Sequence, residues 1–383
     1  MQLALAPGRW AKYEKGAATS SSPDPITPSD SFFMARALEL ARLGWGQTKP
    51  NPMVGAVVVR EDEIVGEGFH SRAGEPHAEI IALKKAGDRS KGATLYVTLE
   101  PCNHQGRTPP CTDAIIAAGI KRVVAAIGDP NPEAAGGGAR LRENGIEVVI
   151  GVLEIEAHEL NAAFLASFAL DRPWVTLKLA VSLDGAISDA KRSRGWLTGA
   201  QARTEVQRLR AVSDAVAVGI ATAIADDPLL TARMDPPPVT PPTRIVFDRH
   251  ARLSALSALA RTARETPTIV VTTTRTKLPP GLANAGVEGL KAHDVLDALR
   301  KLKARGIHSL LVEGGAGLAA SVLAAECVDR LVIFQAPIVL GAGSLGAFSG
   351  IAPHDLANAP RFHALRTEHF GDDVMTIYSP MHT

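Results

Sequence analysis

Hydrophobic positions recur along this chain with two periods, one helical and one alternating. Helical spacing first appears at Met34, Ala35, Leu38 and Ala41, behind Ser29-Asp30, and predicts a capped helix reaching about Leu43. Pro50-Asn51-Pro52-Met53 reads as a turn, residues 54–59 as an apolar strand, and residues 64–69 as its hairpin partner across Glu61-Asp62-Glu63. Helices over 77–86, 111–118 and 136–143 then alternate with strands over 93–99, 122–127 and 147–152. That mixture predicts one α/β unit.

Residues 154–170 carry Ile155, Leu160, Phe164, Leu165 and Phe168 on one side, which predicts an amphipathic helix bridging two halves. Pro173 opens a second alternation. Strands are predicted over 175–180, 215–218, 244–247, 268–272, 309–312 and 330–335, with helices over 200–210, 294–305 and 318–325. Such alternation builds an α/β domain on a largely parallel sheet. The five prolines of residues 235–242 predict a surface loop. Residues 1–28 lack periodicity and read as a disordered leader of the kind an upstream start adds. Its apolar part, Leu3 to Pro7, is too short and badly flanked for a secretory signal. The expected domains are therefore 29–172 and 173–383.

Composition narrows the function. With 383 residues, 46% hydrophobic and 21% charged, the chain has material for two globular cores. Its 41 basic and 40 acidic side chains nearly cancel, and aromatics make up only 4%. No nucleic-acid or membrane surface is expected from that balance, and a small-molecule substrate is. No apolar run is long enough to span a bilayer. Three cysteines give no disulfide framework and point to the reducing cytoplasm.

Two of those cysteines carry chemistry. His77-Ala78-Glu79 is followed by Glu100-Pro101-Cys102 and then Pro109-Pro110-Cys111. His77, Cys102 and Cys111 offer three ligands to one zinc ion per chain and leave a fourth position for water, the pattern of a catalytic site. Glu79 is close to the metal without being needed to hold it. An H-x-E followed by P-C-x-x-C is the signature of zinc-dependent base deaminases; here the cysteines are separated by eight residues instead of two. The metal-bearing segments are predicted at helix N-termini, where free N–H groups favour thiolate. A closed structural zinc with His104 as fourth ligand is the alternative, and it leaves Glu79 without a role. In the second half, the strand over 309–312 runs into Glu313-Gly314-Gly315-Ala316-Gly317 and a helix, a turn that can cradle a pyrophosphate.

Taken together, these stretches resemble the bifunctional deaminase/reductases of riboflavin biosynthesis. The resemblance is carried by Pro50-Asn51-Pro52-Met53-Val54-Gly55, Gly74-Glu75-Pro76-His77-Ala78-Glu79, the run from Thr98 through Cys102 to Cys111, and Asp129-Pro130-Asn131-Pro132. Leu177-Lys178, Ser182-Leu183-Asp184-Gly185, Trp196-Leu197-Thr198, Ala225-Asp226-Asp227-Pro228 and Val312-Glu313-Gly314-Gly315 extend it through the second half. It implies an α/β protein with an N-terminal cytidine-deaminase-like three-layer domain and a C-terminal dihydrofolate-reductase-like domain. The first would hydrolyse the amine of 2,5-diamino-6-ribosylamino-4(3H)-pyrimidinone 5′-phosphate. The second would use NADPH to convert the ribosyl group of the product to ribityl. Phosphorylated pyrimidines are the implied partners, and a homo-oligomer is expected.

The resemblance also implies roles. Glu79 is the expected proton shuttle, and Asn51, His70, His104 and Arg107 are expected to hold the deaminase substrate. Lys178, Arg194, Arg210, Leu230, Arg233 and Glu313 are expected at the reductase substrate, with Arg210 and Arg233 suited to its phosphate. Ala180, Trp196, Thr198, Thr222, Asp226, Gly315, Ala316 and Gly317 are expected at the cofactor. Arg249, after the strand over 244–247, stands where a clamp for the 2′-phosphate of NADPH would be. The sequence departs from the family at Arg194, where Ser is frequent, and at Gly136-Gly137-Gly138, expected to alter a surface loop only. A nucleic-acid-editing deaminase conflicts with the neutral charge and the long insert between cysteines. A non-catalytic zinc protein would waste the open ligand position and Glu79.

Overall fold

The computed structural model describes residues 26–105 and 109–381, arranged in two compact units that divide at Leu170/Asp171. The expected leader up to residue 25, and Arg107, lie outside the described residues. Among the described residues no helix is long and apolar enough to cross a membrane.

The first unit opens with helix α1 (Pro28–Arg42). Its cap is Thr27, two residues earlier than the sequence suggests. Thr27 Oγ1 accepts from Asp30 N while an Asp30 oxygen accepts from Thr27 N, a reciprocal capping box with Pro28 opening the first turn. Asp30 is thus the third residue of the helix. Strands β1 (Gly55–Arg60) and β2 (Glu63–Phe69) form the expected hairpin. Its turn residues Glu61 and Asp62 both take positive φ, which matches the twist of paired strands. Helix α2 (Ala78–Ala86), strand β3 (Thr94–Val97), helix α3 (Cys111–Ala117), strand β4 (Arg122–Ala125), helix α4 (Gly137–Glu143) and strand β5 (Glu147–Ile150) follow.

The sheet order is β2-β1-β3-β4-β5, antiparallel up to β3 and parallel thereafter. One face packs on Phe33, Met34, Ala37 and Leu38 of α1, the other on Ala82, Ile115 and Leu141 from α2, α3 and α4. This is the expected three-layer arrangement. The single bridging helix is not found. Residues 154–170 form two short helices, α5 (Glu154–Leu160) and α6 (Ala162–Ser167), broken at Asn161. The Asn161 amide explains the break, accepting from Met53 N at 2.9 Å and donating to Met53 O at 2.8 Å. Ile155 and Phe168 consequently face solvent.

The second unit begins with strands β6 (Trp174–Val181) and β7 (Ala186–Ser188) and helix α7 (Ala200–Val212). Next come β8 (Ala215–Gly219), α8 (Ile220–Asp226), β9 (Thr243–Phe247), α9 (Ala258–Arg261), β10 (Thr268–Thr273), α10 (Pro280–Asn284) and β11 (Glu288–Ala292). The chain closes with α11 (Val295–Lys303), β12 (Ser309–Glu313), α12 (Ala316–Ala324) and strands β13 (Arg330–Gln335), β14 (Leu345–Gly346), β15 (Phe362–Phe370) and β16 (Asp373–Pro380).

Nine strands make one sheet in the order β11-β10-β9-β8-β12-β6-β13-β16-β15. It is parallel except for the terminal hairpin β15–β16, which adds to β13 antiparallel. The inner strands are near-continuous apolar runs because helices cover both faces. Leu299, Leu302, Leu318 and Val322 pack on one face, Leu259 and Leu282 on the other, and Val206 joins Phe334 and Met375 nearer the hairpin. Crossing helices bring the C-terminal ends of the parallel strands to one edge of the sheet, the edge where α/β folds open their ligand crevices.

Candidate active sites

In the first unit, His77 caps the N-terminus of α2 and Cys111 opens α3. Cys102 lies in the loop after β3, not on a helix, so only two of the three expected ligands sit at helix starts. The three side chains nevertheless converge. His77 Nδ1 is 3.2 Å from Cys111 Sγ and 3.6 Å from Cys102 Sγ, and Cys111 N donates to Cys102 Sγ at 3.4 Å. Their ligand atoms all lie within 4.8 Å of one another. His104 does not join this group, which argues against a closed four-ligand site.

The charge pattern of the cluster calls for a cation. A hydrogen bond from Cys111, reinforced by His77, brings the Cys102 thiol down to about 4. The same bond, with burial and the nearby Glu79 carboxylate, pushes the Cys111 thiol upward. Cys102 in turn draws His77 toward its protonated form. A proton is therefore shared where a divalent ion would let both sulfurs ionise and leave the imidazole neutral. The donor set of one nitrogen and two sulfurs fits zinc.

Glu79, in the first turn of α2, is 4% exposed and packs against Cys111. Burial raises its carboxyl pKa, with His77 opposing. His70 is buried edge-on to His77, their ring centroids 5.6 Å apart. Its Nδ1 lies 3.3 Å from Pro76 O, which can only accept, so Nε2 is left to accept from Asn51 Nδ2 at 3.0 Å. Asn51 and His70 thus form one hydrogen-bonded unit beside the metal cluster. His104 Nδ1 is buried with no hydrogen-bond partner among the described residues.

Glu100 is a residue the sequence quoted without assigning it a task. Its Oε2 accepts from Asp129 N at 3.1 Å and its Oε1 from Gly138 N at 2.7 Å, tying the loop after β4 to the segment bearing Cys102. The Gly136-Gly137-Gly138 departure is consequently more than a surface matter. Gly137 and Gly138 are buried, and a Cβ on Gly137 would sit 1.9 Å from Pro101 O. Only glycine permits that approach.

In the second unit a cleft of about 2170 Å³ runs along the C-terminal strand ends. All fourteen expected reductase residues line it: Lys178, Ala180, Arg194, Trp196, Thr198, Arg210, Thr222, Asp226, Leu230, Arg233, Glu313, Gly315, Ala316 and Gly317. Trp196 is 74% exposed, which a core aromatic would not be, and the Arg203 guanidinium lies 5.5 Å over its ring. Arg203 itself went unmarked in the sequence. Arg210 does not point freely into the cleft; it is buried against Glu313 and also donates to Thr231 O at 3.0 Å. Burial raises Glu313, but Arg210 and Lys178 overrule it and hold the carboxyl below its ordinary range. Burial likewise lowers Lys178, whose ammonium lies 5.6 Å over the Phe334 ring. Asp226 is raised by burial, partly countered by Arg194, whose Nε donates to Ala225 O. Leu230 is buried with φ 52.

Gly314 and Gly315 take φ 66 and 82 before α12, and the space where Gly314 and Gly317 would carry a Cβ is open. A Cβ on Gly315 would fall 2.6 Å from Thr222 Oγ1. This bare helix start, inside a long cleft, fits the pyrophosphate of a dinucleotide.

The comparisons with known proteins agree with both sites. Residues 27–127 match the cytidine and deoxycytidylate deaminase zinc-binding region, and residues 173–376 match the RibD C-terminal domain. The chain is 42% identical over 358 residues to riboflavin biosynthesis protein RibD of Escherichia coli, covering 90% of this chain and 98% of that one. It is 39% identical to the solved RibD of Acinetobacter baumannii, with a TM-score of 0.81 over 92% of this chain and 99% of the other. A Thermotoga maritima structure described as a diaminohydroxyphosphoribosylaminopyrimidine deaminase/5-amino-6-(5-phosphoribosylamino)uracil reductase is 38% identical, with the same TM-score and coverage. With a zinc-type deaminase site in one unit and a reductase cleft in the other, the chain belongs to the RibD family, the bifunctional deaminase/reductases of riboflavin biosynthesis.

Proposed function

We propose that the unit over 29–172 deaminates 2,5-diamino-6-ribosylamino-4(3H)-pyrimidinone 5′-phosphate and that the unit over 173–383 reduces the product with NADPH. The reading rests most heavily on the convergence of His77, Cys102 and Cys111 beside a buried Glu79. The substrates are those in the description of the Thermotoga maritima relative. The near-neutral charge and the cysteine count support a cytoplasmic enzyme acting on small molecules, and a homo-oligomer is proposed with it.

His77, Cys102 and Cys111 hold zinc in this reading, and the ion supplies a Lewis acid that acidifies water. Glu79, its proton affinity raised by burial, takes the proton of the attacking water. It returns that proton to the pyrimidine ring nitrogen and then assists departure of ammonia. Asn51 and His70 present a fixed pair of polar groups to the ring, and His104 brings an unspent ring nitrogen. Arg107 completes the set as a cation for the phosphate.

In the reductase cleft, NADPH supplies a hydride. Gly315, Ala316 and Gly317 receive its pyrophosphate, while Ala180, Trp196, Thr198, Thr222 and Asp226 line its path. Lys178 and Glu313 adjoin the substrate with their pKa values pulled below the ordinary range, so each is set against a different proton-transfer task. Arg210 orients Glu313, and Arg233, with Leu230 and Arg194, meets the ribosyl phosphate.

The test is direct. Purified protein should carry about one zinc per chain, release ammonia from the diamino substrate, and oxidise NADPH only once the deaminated product is present. Absence of ammonia release from zinc-loaded protein would overturn the deaminase reading.

A further inference from the structure

One wall of the reductase cleft is a stretch, residues 228–234, that carries Leu230 and Arg233 and belongs to no helix or strand. Among the described residues its main chain makes no hydrogen bond to other main chain. An irregular segment of that kind keeps one shape only if side chains satisfy its N–H and C=O groups. They do so at every second residue. Arg244 Nη1 of β9 donates to Leu229 O at 3.3 Å, Arg210 Nη1 of α7 donates to Thr231 O at 3.0 Å, and Arg233 N donates to Gln207 Oε1 at 2.9 Å. Between the first two anchors Leu230 is buried with φ 52, a left-handed conformation that leucine keeps only where its surroundings impose it.

The three anchoring side chains are not alike. Arg244 is fully buried and also donates to Leu259 O, Thr266 O and Thr262 Oγ1, so it belongs to the core. Arg210 is paired with Glu313. Gln207 is half-buried, and among the described residues its side chain makes this one hydrogen bond. Arg203, Gln207 and Arg210 recur at i, i+4 and i+7, which puts Gln207 on the face of α7 that lines the cleft. Arg233 is exposed, and among the described residues its guanidinium makes no hydrogen bond or ion pair. Its main-chain N–H, held by Gln207, fixes the backbone from which that guanidinium projects.

We propose that Gln207 is a positioning residue for phosphate recognition in the reductase. By accepting from Arg233 N it sets the direction in which the Arg233 guanidinium meets the ribosyl phosphate of the substrate. This rests on the reading of Arg233 as a cation for that phosphate. A guanidinium pairs with phosphate through two parallel N–H bonds, and a backbone free to turn loses the match.

The probes are the deaminated intermediate and its dephosphorylated ribonucleoside, each followed by NADPH oxidation with the full zinc-loaded chain at saturating NADPH. Gln207→Met keeps the side-chain length and the helix propensity but replaces the amide with an apolar end. Its KM for the phosphorylated substrate should rise about three- to tenfold with kcat unchanged, the worth of one hydrogen bond. kcat/KM for the dephosphorylated substrate, the KM for NADPH and the melting temperature should stay at wild-type values. Arg233→Met should cost more, on the order of ten- to a hundredfold, and only on the phosphorylated substrate. Adding Gln207→Met to Arg233→Met should cost nothing further, because the group it positions is gone. An equal loss on both substrates, or full additivity in the double variant, would make Gln207 a general support of α7 and overturn the assignment. Wild-type kinetics in Gln207→Met beside an impaired Arg233→Met would overturn it too, leaving the reading of Arg233 in place. An Arg233→Met variant that keeps the full preference for the phosphorylated substrate would overturn both.

Discussion

Arg210 of α7 and Glu313 at the end of β12 form a two-pronged ion pair, Nε to Oε1 at 2.5 Å and Nη2 to Oε2 at 2.9 Å, almost wholly out of solvent. The pairing holds a carboxylate in the wall of the reductase cleft in one orientation and links the outer helix to the central sheet. Lys178, on the neighbouring strand β6, adds a second positive charge that Glu313 feels.

Removing either partner strands a charge in a poorly solvated place. Arg210→Met or Glu313→Gln is expected to destabilise the second unit by about 3–5 kcal/mol and to abolish reduction. Urea unfolding followed alongside NADPH oxidation measures both. An unchanged unfolding curve for both variants would mean that the pair contributes nothing to the fold.

The two chemistries should separate by mutation. Glu79→Gln keeps the shape of the side chain but removes the base, so ammonia release is expected to fall roughly a hundredfold or more. Zinc content should persist, because Glu79 is not one of the three converging ligands. NADPH oxidation with the deaminated intermediate should also persist. Asp226→Asn should do the reverse. Joint loss of both activities in either variant, with folding intact, would defeat the assignment of one activity to each unit.

The metal loop should be sensitive to a single methyl group. Cys102→Ser and Cys111→Ser are expected to lose most of the bound zinc. Gly137→Ala, which touches no ligand, should weaken zinc retention and lower stability by about 1–3 kcal/mol, since its Cβ would overlap Pro101 O. Metal analysis after dialysis against a chelator distinguishes the outcomes. Wild-type retention in Gly137→Ala would show that the loop yields freely.

Asp30 gives a pH signature in the first unit. Burial alone would raise its carboxyl, but bonds from Arg122, Thr27 and Tyr96 overrule burial and bring it from 3.8 down to about 2. A group whose folded pKa lies below its unfolded pKa contributes stability that is complete above the unfolded value and is lost as pH falls through the folded one. The stability gap between wild type and Asp30→Asn should therefore shrink by about 2 kcal/mol between pH 5 and pH 2. Urea midpoints across that range supply the measurement. A gap independent of pH would exclude an ionised Asp30 as its source.

The sequence by itself determined much of this protein. Local signals of 3.6 and 2 residues located the principal helices and strands of both units, because each element buries one face and must repeat its apolar residues at its own period. The motif around His77, Glu79, Cys102 and Cys111 was legible because zinc chemistry restricts the residue types that can serve it. Tertiary structure decided what depends on partners distant in the chain. Asn161 ends a helix by bonding Met53, 108 residues away, and no local pattern encodes that distance. Gly137 reads as a loop glycine until Pro101 O lies against it. The hairpin of β15 and β16 escaped notice because its first strand is largely exposed at the sheet edge, where one face carries no apolar alternation. The pairing of Arg210 with Glu313, 103 residues on, is likewise set only by the fold. A sequence states which groups are available. Folding determines which of them are already spent on one another, and so which are left for the substrate.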